Sequence, residues 1–147
     1  MKALSIQEPF ATLIMRYGKT TENRTRNCYY RGPLVVCASK TLAVDPDYWD
    51  WIGKNAPENL QFHVIDGELE LPRNLLPQKF ADLRCQPGYA LGTVDIVGCD
   101  QHLLTAWDME DQWHIRLANA RPFSKPFKQR GALGLYDISD DIVESAR

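Results

Sequence analysis

The stretch Gly18-Lys19-Thr20-Thr21-Glu22-Asn23-Arg24 is the part of this sequence that bears most on fold and function. An apolar segment, residues 10–17, precedes it and predicts a helix that ends at Gly18. The stretch itself predicts a strand, and alternate side chains of a strand lie on one face of a sheet. We therefore expect Thr20, Glu22 and Arg24 to share a face, with Lys19 at the mouth of the strand.

This stretch combines an ammonium, two hydroxyls, a carboxylate and a guanidinium within seven residues. A carboxylate beside two cations stays ionised and holds both in position. Such a cluster can bind a phosphate or the polar edge of a nucleobase. The alternative is a solvated strand edge with an ordinary surface ion pair, which contributes little to stability. The stretch alone leaves both interpretations open.

Three other parts of the chain bear on the choice. The N-terminal run Ala3-Leu4-Ser5-Ile6-Gln7-Glu8-Pro9-Phe10-Ala11 predicts a short strand that continues into a helix with Pro9 near its first turn. The run Tyr30-Arg31-Gly32-Pro33-Leu34 leads into a predicted strand over 34–38, followed by Ser39-Lys40. The C-terminal part contains Trp113-His114-Ile115-Arg116-Leu117, Arg121-Pro122-Phe123 and Gly131-Ala132-Leu133-Gly134-Leu135-Tyr136.

Together with the Gly-Lys-x-x-Glu-x-Arg core, these segments resemble the ASCH domain, a member of the PUA-like superfamily. The resemblance covers residues 1–40 and 88–138, about two thirds of the chain. It implies an α+β fold, namely a PUA-like small mixed β-barrel flanked by short helices. We expect a single ASCH domain over residues 1–147.

Composition limits the class of protein. A hydrophobic content of 44% is ordinary for a soluble globular domain. No apolar run approaches the roughly 20 residues that span a bilayer, and no signal-peptide pattern is visible. We therefore expect a cytoplasmic protein that has no membrane partner. The scattered cysteines form no Cys-x-x-Cys pair and stand apart from the histidines, which predicts free thiols, no metal site and no cofactor. These cysteines are Cys28, Cys37, Cys85 and Cys99.

Charge is segregated along the chain. Residues 1–40 hold seven Lys or Arg against two Asp or Glu, and residues 113–131 hold five against none. Residues 41–112 hold four against thirteen, and the net charge of the whole chain is −2. If the fold brings the two basic segments together, they form a positive cleft suited to an anionic ligand.

The predicted elements follow the periodicity of apolar residues and the positions of Gly and Pro. Strands are predicted over 2–7, 20–26, 34–38, 90–99, 113–117 and 133–138, and helices over 9–17, 46–54, 77–83 and 139–147. Residues 54–87, which contain four prolines and an acidic run, predict an irregular acidic insertion. A long insertion of this kind can be a lid, a surface for a protein partner or a spacer.

The candidate catalytic residues are Lys19, Glu22 and Arg24. Lys19 can bind phosphate as a point charge, or act as an acid or base if burial lowers its pKa. Glu22 can accept a proton or position both cations, and Arg24 offers a two-pronged contact to phosphate. The isolated His114 is either a further acid or base or a structural residue. The candidate nucleic-acid-binding residues are Gln7, Phe10, Thr20, Arg31, Ser39, Lys40, Arg121, Lys128 and Arg130.

The resemblance also implies functions, since ASCH and other PUA-like domains bind RNA or modified bases. One enzymatic branch cleaves single-stranded RNA. Another is an amidohydrolase that removes acyl groups from the exocyclic nitrogen of cytosine, and it has a catalytic threonine three residues after the lysine. Glu22 stands at that position here, while Thr20 and Thr21 lie at other offsets, so the sequence disfavours the amidohydrolase.

We therefore predict a protein that binds single-stranded RNA or a modified nucleoside and acts as a metal-independent endoribonuclease. The alternative is a non-enzymatic module that binds RNA or a modified base, or that acts as a coactivator-type module recruiting a protein partner through the acidic insertion.

Overall fold

The β-branched and aliphatic runs of the sequence form one large sheet in the computed structural model, which describes residues 1–43, 47, 63–64 and 84–147. The elements in chain order are β1 (Lys2–Glu8), α1 (Phe10–Arg16), β2 (Thr21–Arg24), β3 (Gly32–Leu42), β4 (His63–Val64), β5 (Arg84–Cys85), β6 (Tyr89–Asp100), β7 (Trp113–Lys128), β8 (Leu135–Asp137) and α2 (Asp140–Ala146).

Six of these strands form a mixed sheet in the order β2-β7-β6-β3-β1-β8. Strands β1 and β3 run parallel, with Leu4 opposite Val36, and the other neighbours are antiparallel. The sheet curls into a half-barrel with two short helices. Strands β4 and β5 form a separate parallel pair. The predicted α+β fold of the PUA-like type is thereby confirmed.

Alternation along the strands gives the sheet two buried faces. One face packs against α1 and includes Leu4, Ile6, Leu34 and Val36. The other includes Ala3, Val35 and Cys37 and packs against α2, which contributes Val143. Neighbouring residues of β1 and β3 thus belong to opposite cores, which explains why these strands are apolar almost throughout.

Most predicted strands are present with different ends. The largest difference is β7, which continues to Lys128 although the sequence predicted its end at residue 117. Pro122 and Pro126 argue against a long strand because proline donates no ladder hydrogen bond. Register shifts between β6 and β7 accommodate the irregular stretch, where Gly92 lies opposite Pro122. The helices predicted over 46–54 and 77–83, and most of the acidic insertion over 54–87, lie outside the described residues.

A buried carboxyl fixes the junction between β1 and α1. Glu8 accepts hydrogen bonds from the Thr12 backbone N–H (3.0 Å), the Thr12 hydroxyl (2.8 Å) and the Gln86 N–H (3.3 Å). Burial raises the pKa of Glu8 to about 7, against the effect of these hydrogen bonds. The contacts hold the neighbouring residues Gln7 and Phe10 in fixed positions at the end of the strand and the start of the helix.

Replacing Gly92 with Ala is expected to lower the free energy of unfolding by about 3 kcal/mol. A Cβ atom at Gly92 would lie 2.5 Å from the Arg121 carbonyl oxygen and from Met15 Sδ, and 2.8 Å from Pro122 Cα. Backbone atoms cannot yield without separating β6 from β7. The matched control is Gly98→Ala in the same strand, whose Cβ would lie 3.4 Å from Arg116 Cγ. Chemical denaturation measures both, and equal midpoints for the two variants would contradict the packing argument.

Candidate functional site

A cleft of about 470 Å³ opens where β1, β2, the start of α1 and the end of β3 meet two loops. One loop precedes β7 and contributes Met109 and Gln112, and the other precedes β8 and contributes residues 132–134. The described residues that line the cleft are Ser5, Gln7, Phe10, Lys19, Glu22, Asn23, Arg24, Thr25, Ser39, Thr41, Met109, Gln112, Ala132, Leu133 and Gly134.

Lys19 lies in the wall of this cleft, with only 1% of its side chain exposed. Gly18 turns the chain sharply after α1 and so places Lys19 in the cleft. Its φ of +74° is a conformation that favours glycine. The ammonium donates a hydrogen bond to the Thr21 carbonyl and lies 3.8 Å from a Glu22 carboxylate oxygen. It also lies 5.4 Å from the centroid of the Phe10 ring, a cation–π distance.

Burial lowers the pKa of Lys19 to about 8, although the carboxylates of Glu22 and Asp108 act in the opposite direction. A lysine with this pKa exchanges protons readily near neutral pH. Its chemistry is therefore unlike that of an ordinary surface lysine, which stays charged.

Glu22 and Arg24 occupy alternate positions of β2 and both face the cleft. Arg24 Nε donates to Glu22 Oε1 at 2.9 Å, and Arg24 Nη2 donates to the Ser5 carbonyl at 2.8 Å. Glu22 is thus shared between two cations, as the sequence predicted. Among the described residues, the charged groups lining the cleft are Lys19, Glu22 and Arg24, which sum to a net charge of +1.

Thr20 does not share this face. Strand β2 begins at Thr21, and the exposed Thr20 uses its carbonyl to accept a hydrogen bond from the Leu117 N–H. The alternation expected for residues 20, 22 and 24 therefore holds only within the strand. The sequence predicted Thr20 as a binding residue, but the described lining of the cleft does not include it.

The candidate nucleic-acid-binding residues divide into two groups. Gln7, Phe10 and Ser39 line the cleft with the candidate catalytic residues. The lining formed by the described residues does not include Arg31, Lys40, Arg121, Lys128 or Arg130. Lys40 lies between Ser39 and Thr41 on β3, so its side chain points to the other face, against Gly88.

The basic segment over 113–131 was expected to share the cleft, and this expectation is wrong for the residues that the structure describes. Strand β7 does lie beside β2, with Arg116 opposite Thr21. However, the arginines of β7 form ion pairs. Arg121 pairs with Asp95 at 2.7 Å, and Arg116 pairs with Asp100 and Asp108 at 2.7 Å each. The carboxylates of Asp95, Asp100 and Asp108 therefore neutralise Arg116 and Arg121, and the described lining of the cleft includes no residue from 113–131.

Sequence reasoning missed the loop that carries Met109 and Gln112. Asn23 on β2 holds this loop by donating to the Trp107 carbonyl (2.9 Å) and accepting from the Met109 N–H (3.1 Å). His114 is buried, and its Nε2 lies 2.8 Å from the Met109 carbonyl, which makes it a structural residue. Contacts between residues so far apart in sequence leave no local signal.

Arg116 joins the same loop to the sheet. Its guanidinium bonds to Asp100, to Asp108, to the His102 carbonyl and to the Thr21 hydroxyl. Hydrogen bonds from Arg116 lower the pKa of Asp100 to about 2. Burial would raise the pKa of Asp108, but hydrogen bonds led by that of Arg116 hold it well below its usual range. The loop is therefore fixed in place beside the cleft.

Within the described part of the chain, no group of three or more His, Cys, Asp or Glu side chains is arranged to hold a metal ion. No helix formed by those residues is long and apolar enough to cross a membrane.

Comparison with known proteins identifies the family. The family model of the ASCH domain matches residues 4–127. No curated protein matches the chain. The family model covers most of the sequence, so the chain belongs to the ASCH domain family, which is associated with RNA binding.

Proposed function

We propose that this ASCH domain protein binds single-stranded RNA and holds one unstacked or modified nucleobase of it in the cleft. The observation that carries the proposal is the convergence of Lys19, Glu22 and Arg24 with Gln7 and Phe10 on a single cavity. Its volume of about 470 Å³ lies within the usual range for small-molecule sites. Protein surfaces recognise single-stranded RNA by accepting splayed-out bases in such sites.

The lining supplies what a base requires. A nucleobase has a hydrogen-bonding edge and two apolar faces. The side-chain amides of Gln7 and Gln112 offer donors and acceptors, while Phe10 and Leu133 offer apolar contact. This mixture of amide and apolar groups suits a base better than a simple anion. The charged side chains of the described lining sum to a net charge of +1, which is small for an anion site.

The phosphate contacts are expected to be few. Arg24 is half-buried and fixed by Glu22 and Ser5, so its remaining N–H groups are preorganised for one phosphate oxygen or a base edge. Lys19 is buried and engaged with Thr21 and Glu22. Affinity should therefore come from one base and one or two phosphates rather than from a broad basic surface.

Binding of single-stranded RNA is expected to be weak and to depend on salt with a logarithmic slope of about −0.7 to −1.4, about −0.7 per neutralised phosphate. Fluorescence anisotropy at several salt concentrations measures this slope. Arg24→Met should reduce its magnitude by about 0.7. The control, Arg147→Met, removes a cation directly after α2, the helix that packs on the opposite face of the sheet, and should leave the slope unchanged. A flat salt response, or no binding at low salt, would contradict the proposal.

Metal-independent cleavage of the bound RNA is a second candidate function. The observation that favours it is a lysine of lowered pKa, about 8, at 3.8 Å from a carboxylate that an arginine also contacts. Cleavage needs a base for the 2′-hydroxyl, a cation for the charged phosphorane and an acid for the leaving oxygen. In this proposal Glu22 is the base, Arg24 is the cation and Lys19 is the acid.

In this scheme Glu22 takes the 2′-hydroxyl proton while the 2′-oxygen forms a bond to phosphorus. The bond from phosphorus to the 5′-oxygen breaks, and Lys19 gives that oxygen a proton. The carboxyl of Glu22 then returns its proton to the Lys19 amine, its neighbour at 3.8 Å. The product ends are a 2′,3′-cyclic phosphate and a 5′-hydroxyl, and both protein groups are restored.

The amidohydrolase function is not proposed. The hydroxyl of Thr21 contacts Arg116 at 3.2 Å and Thr105 at 3.4 Å, and the described lining of the cleft does not include it. Glu22 occupies the position where that branch has its threonine.

A further inference from the structure

An exposed aromatic residue stands on the segment that leads away from the cleft. Thr25, directly after β2, lines the cleft, and the chain continues through Arg26 and Tyr29 to Arg31. The side chain of Tyr29 is 86% exposed, and both arginines are exposed. Single exposed aromatics are common on protein surfaces. Three observations set this one apart: its rigid support, its charge environment and its distance from the cleft.

The backbone around Tyr29 is fixed on both sides. The Cys28 N–H donates to Cys99 Sγ at 3.4 Å, which ties the segment to the end of β6. Arg31 donates to the Cys28 and Tyr30 carbonyls at 2.8 Å each. The Tyr30 ring packs against the core, and its hydroxyl donates to the Pro33 carbonyl at 2.8 Å. Tyr29 thus projects from between two anchored residues, so a partner that contacts it orders little additional chain.

The sequence on both sides of Tyr29 is cationic. No Asp or Glu occurs between Glu22 and Asp45, whereas Arg26 precedes Tyr29 and Arg31 follows it. Arg26 makes no ion pair with any residue that the structure describes. An aromatic ring flanked by unneutralised cations is the combination that binds single-stranded nucleic acid, through base stacking and phosphate contacts.

The chain length limits the distance between Tyr29 and the cleft. Tyr29 follows Thr25 by four residues, and a fully extended chain of that length spans at most about 14 Å. A strand whose base enters the cleft can therefore reach Tyr29 within a few nucleotides.

We infer that Tyr29 is a stacking platform for a second base of the bound RNA, and that Arg26 contacts a phosphate between the platform and the cleft. The inference rests on the proposed function, because the cleft fixes where the strand starts. It also assigns Arg31 a different role from the one predicted from sequence. Arg31 is a positioning residue, whose guanidinium holds the carbonyls on either side of Tyr29.

The experiment compares two ligands, a nucleoside monophosphate and a single-stranded RNA of about eight nucleotides, within the range that one binding surface covers. Affinities are measured for the wild type, Tyr29→Ala, Tyr29→Phe and Arg26→Met. Loss of stacking should weaken the affinity of Tyr29→Ala for the longer RNA roughly fivefold to a hundredfold. Tyr29→Phe keeps the ring and should match the wild type. All the variants should bind the monophosphate equally.

The inference is overturned if Tyr29→Ala binds the longer RNA as tightly as the wild type, or if the wild type binds both ligands equally. It is also overturned if Tyr29→Ala loses affinity for the monophosphate to the same extent. If no base enters the cleft, the result differs. Binding of the longer RNA still depends on Tyr29, but the monophosphate does not bind and Arg24→Met leaves the affinity unchanged. That result would support Tyr29 as a stacking platform and contradict the proposal that a base binds in the cleft.

Discussion

Replacing Lys19 with Met is expected to reduce cleavage of single-stranded RNA at least about a hundredfold while the protein stays folded. A preorganised group that stabilises developing charge or supplies a proton contributes about 3–4 kcal/mol to catalysis. Met keeps an apolar stem in this buried position and removes only the ammonium, which lies 5.4 Å from the centroid of the Phe10 ring. Because Met removes the desolvation cost of the buried ammonium, and Glu22 keeps Arg24 as its partner at 2.9 Å, the melting temperature should fall little or rise.

The pH profile identifies the active form of Lys19. In the scheme above the ammonium is the acid, so cleavage should fall as pH rises through about 8, the pKa of this group. Lys40→Met is the matched control, since Lys40 is an exposed lysine whose side chain points away from the cleft. It should cleave like the wild type. Assays with and without a chelator separate this mechanism from a metal-dependent one.

Equal cleavage by Lys19→Met and the wild type would assign the activity to another site or a contaminant. Cleavage abolished by the chelator would replace the scheme with one that depends on metal. A wild type that binds RNA without cleaving it would leave base binding as the function.

Replacing Arg116 with Met is expected to lower the free energy of unfolding by about 3–5 kcal/mol. The Asp108 side chain is 0% exposed, and Arg116 contacts both of its oxygens, at 2.7 and 2.8 Å. Removing Arg116 leaves the Asp108 charge desolvated and without its cation, held by hydrogen bonds from Leu104 and Thr105. The loop carrying Met109 and Gln112 should loosen as well, so the affinity for RNA should fall together with stability.

Arg121→Met on the same strand is the matched control. Arg121 also pairs with a carboxylate at 2.7 Å, but its side chain is 53% exposed, so its loss should cost less than about 1 kcal/mol. Adding Asp108→Asn to Arg116→Met removes the stranded charge and should restore part of the stability. Similar denaturation midpoints for Arg116→Met and Arg121→Met would contradict the assignment of Arg116 as the residue that fixes the loop.

The acid limb of the stability curve gives a second readout. Asp108 has a folded pKa below its ordinary value of 3.8, so its contribution to stability is present above that pH. It is lost as the pH falls and the carboxylate becomes protonated. Arg116→Met should therefore show a shallower loss of stability below pH 4 than the wild type.

The parts of the structure that depend on local pattern were predictable from sequence. The alternation of Glu22 and Arg24, the turn at Gly18 and the apolar strands β1 and β3 are encoded within a few residues of one another. The extension of β7 past Pro122 was not, because proline weakens a strand locally while the register shift opposite Gly92 compensates for it. Pairing between distant segments overrides the local preference.

The candidate site was predictable only in part, for an electrostatic reason. The excess of Lys and Arg over residues 113–131 predicted a cationic surface, and Arg116 and Arg121 belong to that segment. Their carboxylate partners, Asp95, Asp100 and Asp108, come from a segment whose position is set by the fold. A count of charges by segment cannot show which ones neutralise each other.

The central claim is that one nucleobase of single-stranded RNA enters the cleft. A crystal structure of the protein with a short single-stranded RNA, in a lattice that leaves the cleft open, tests it most directly. We predict one base within hydrogen-bond distance of the Gln7 or Gln112 amide and a phosphate oxygen beside Arg24. RNA bound on another surface, with no nucleotide in the cleft, would contradict it.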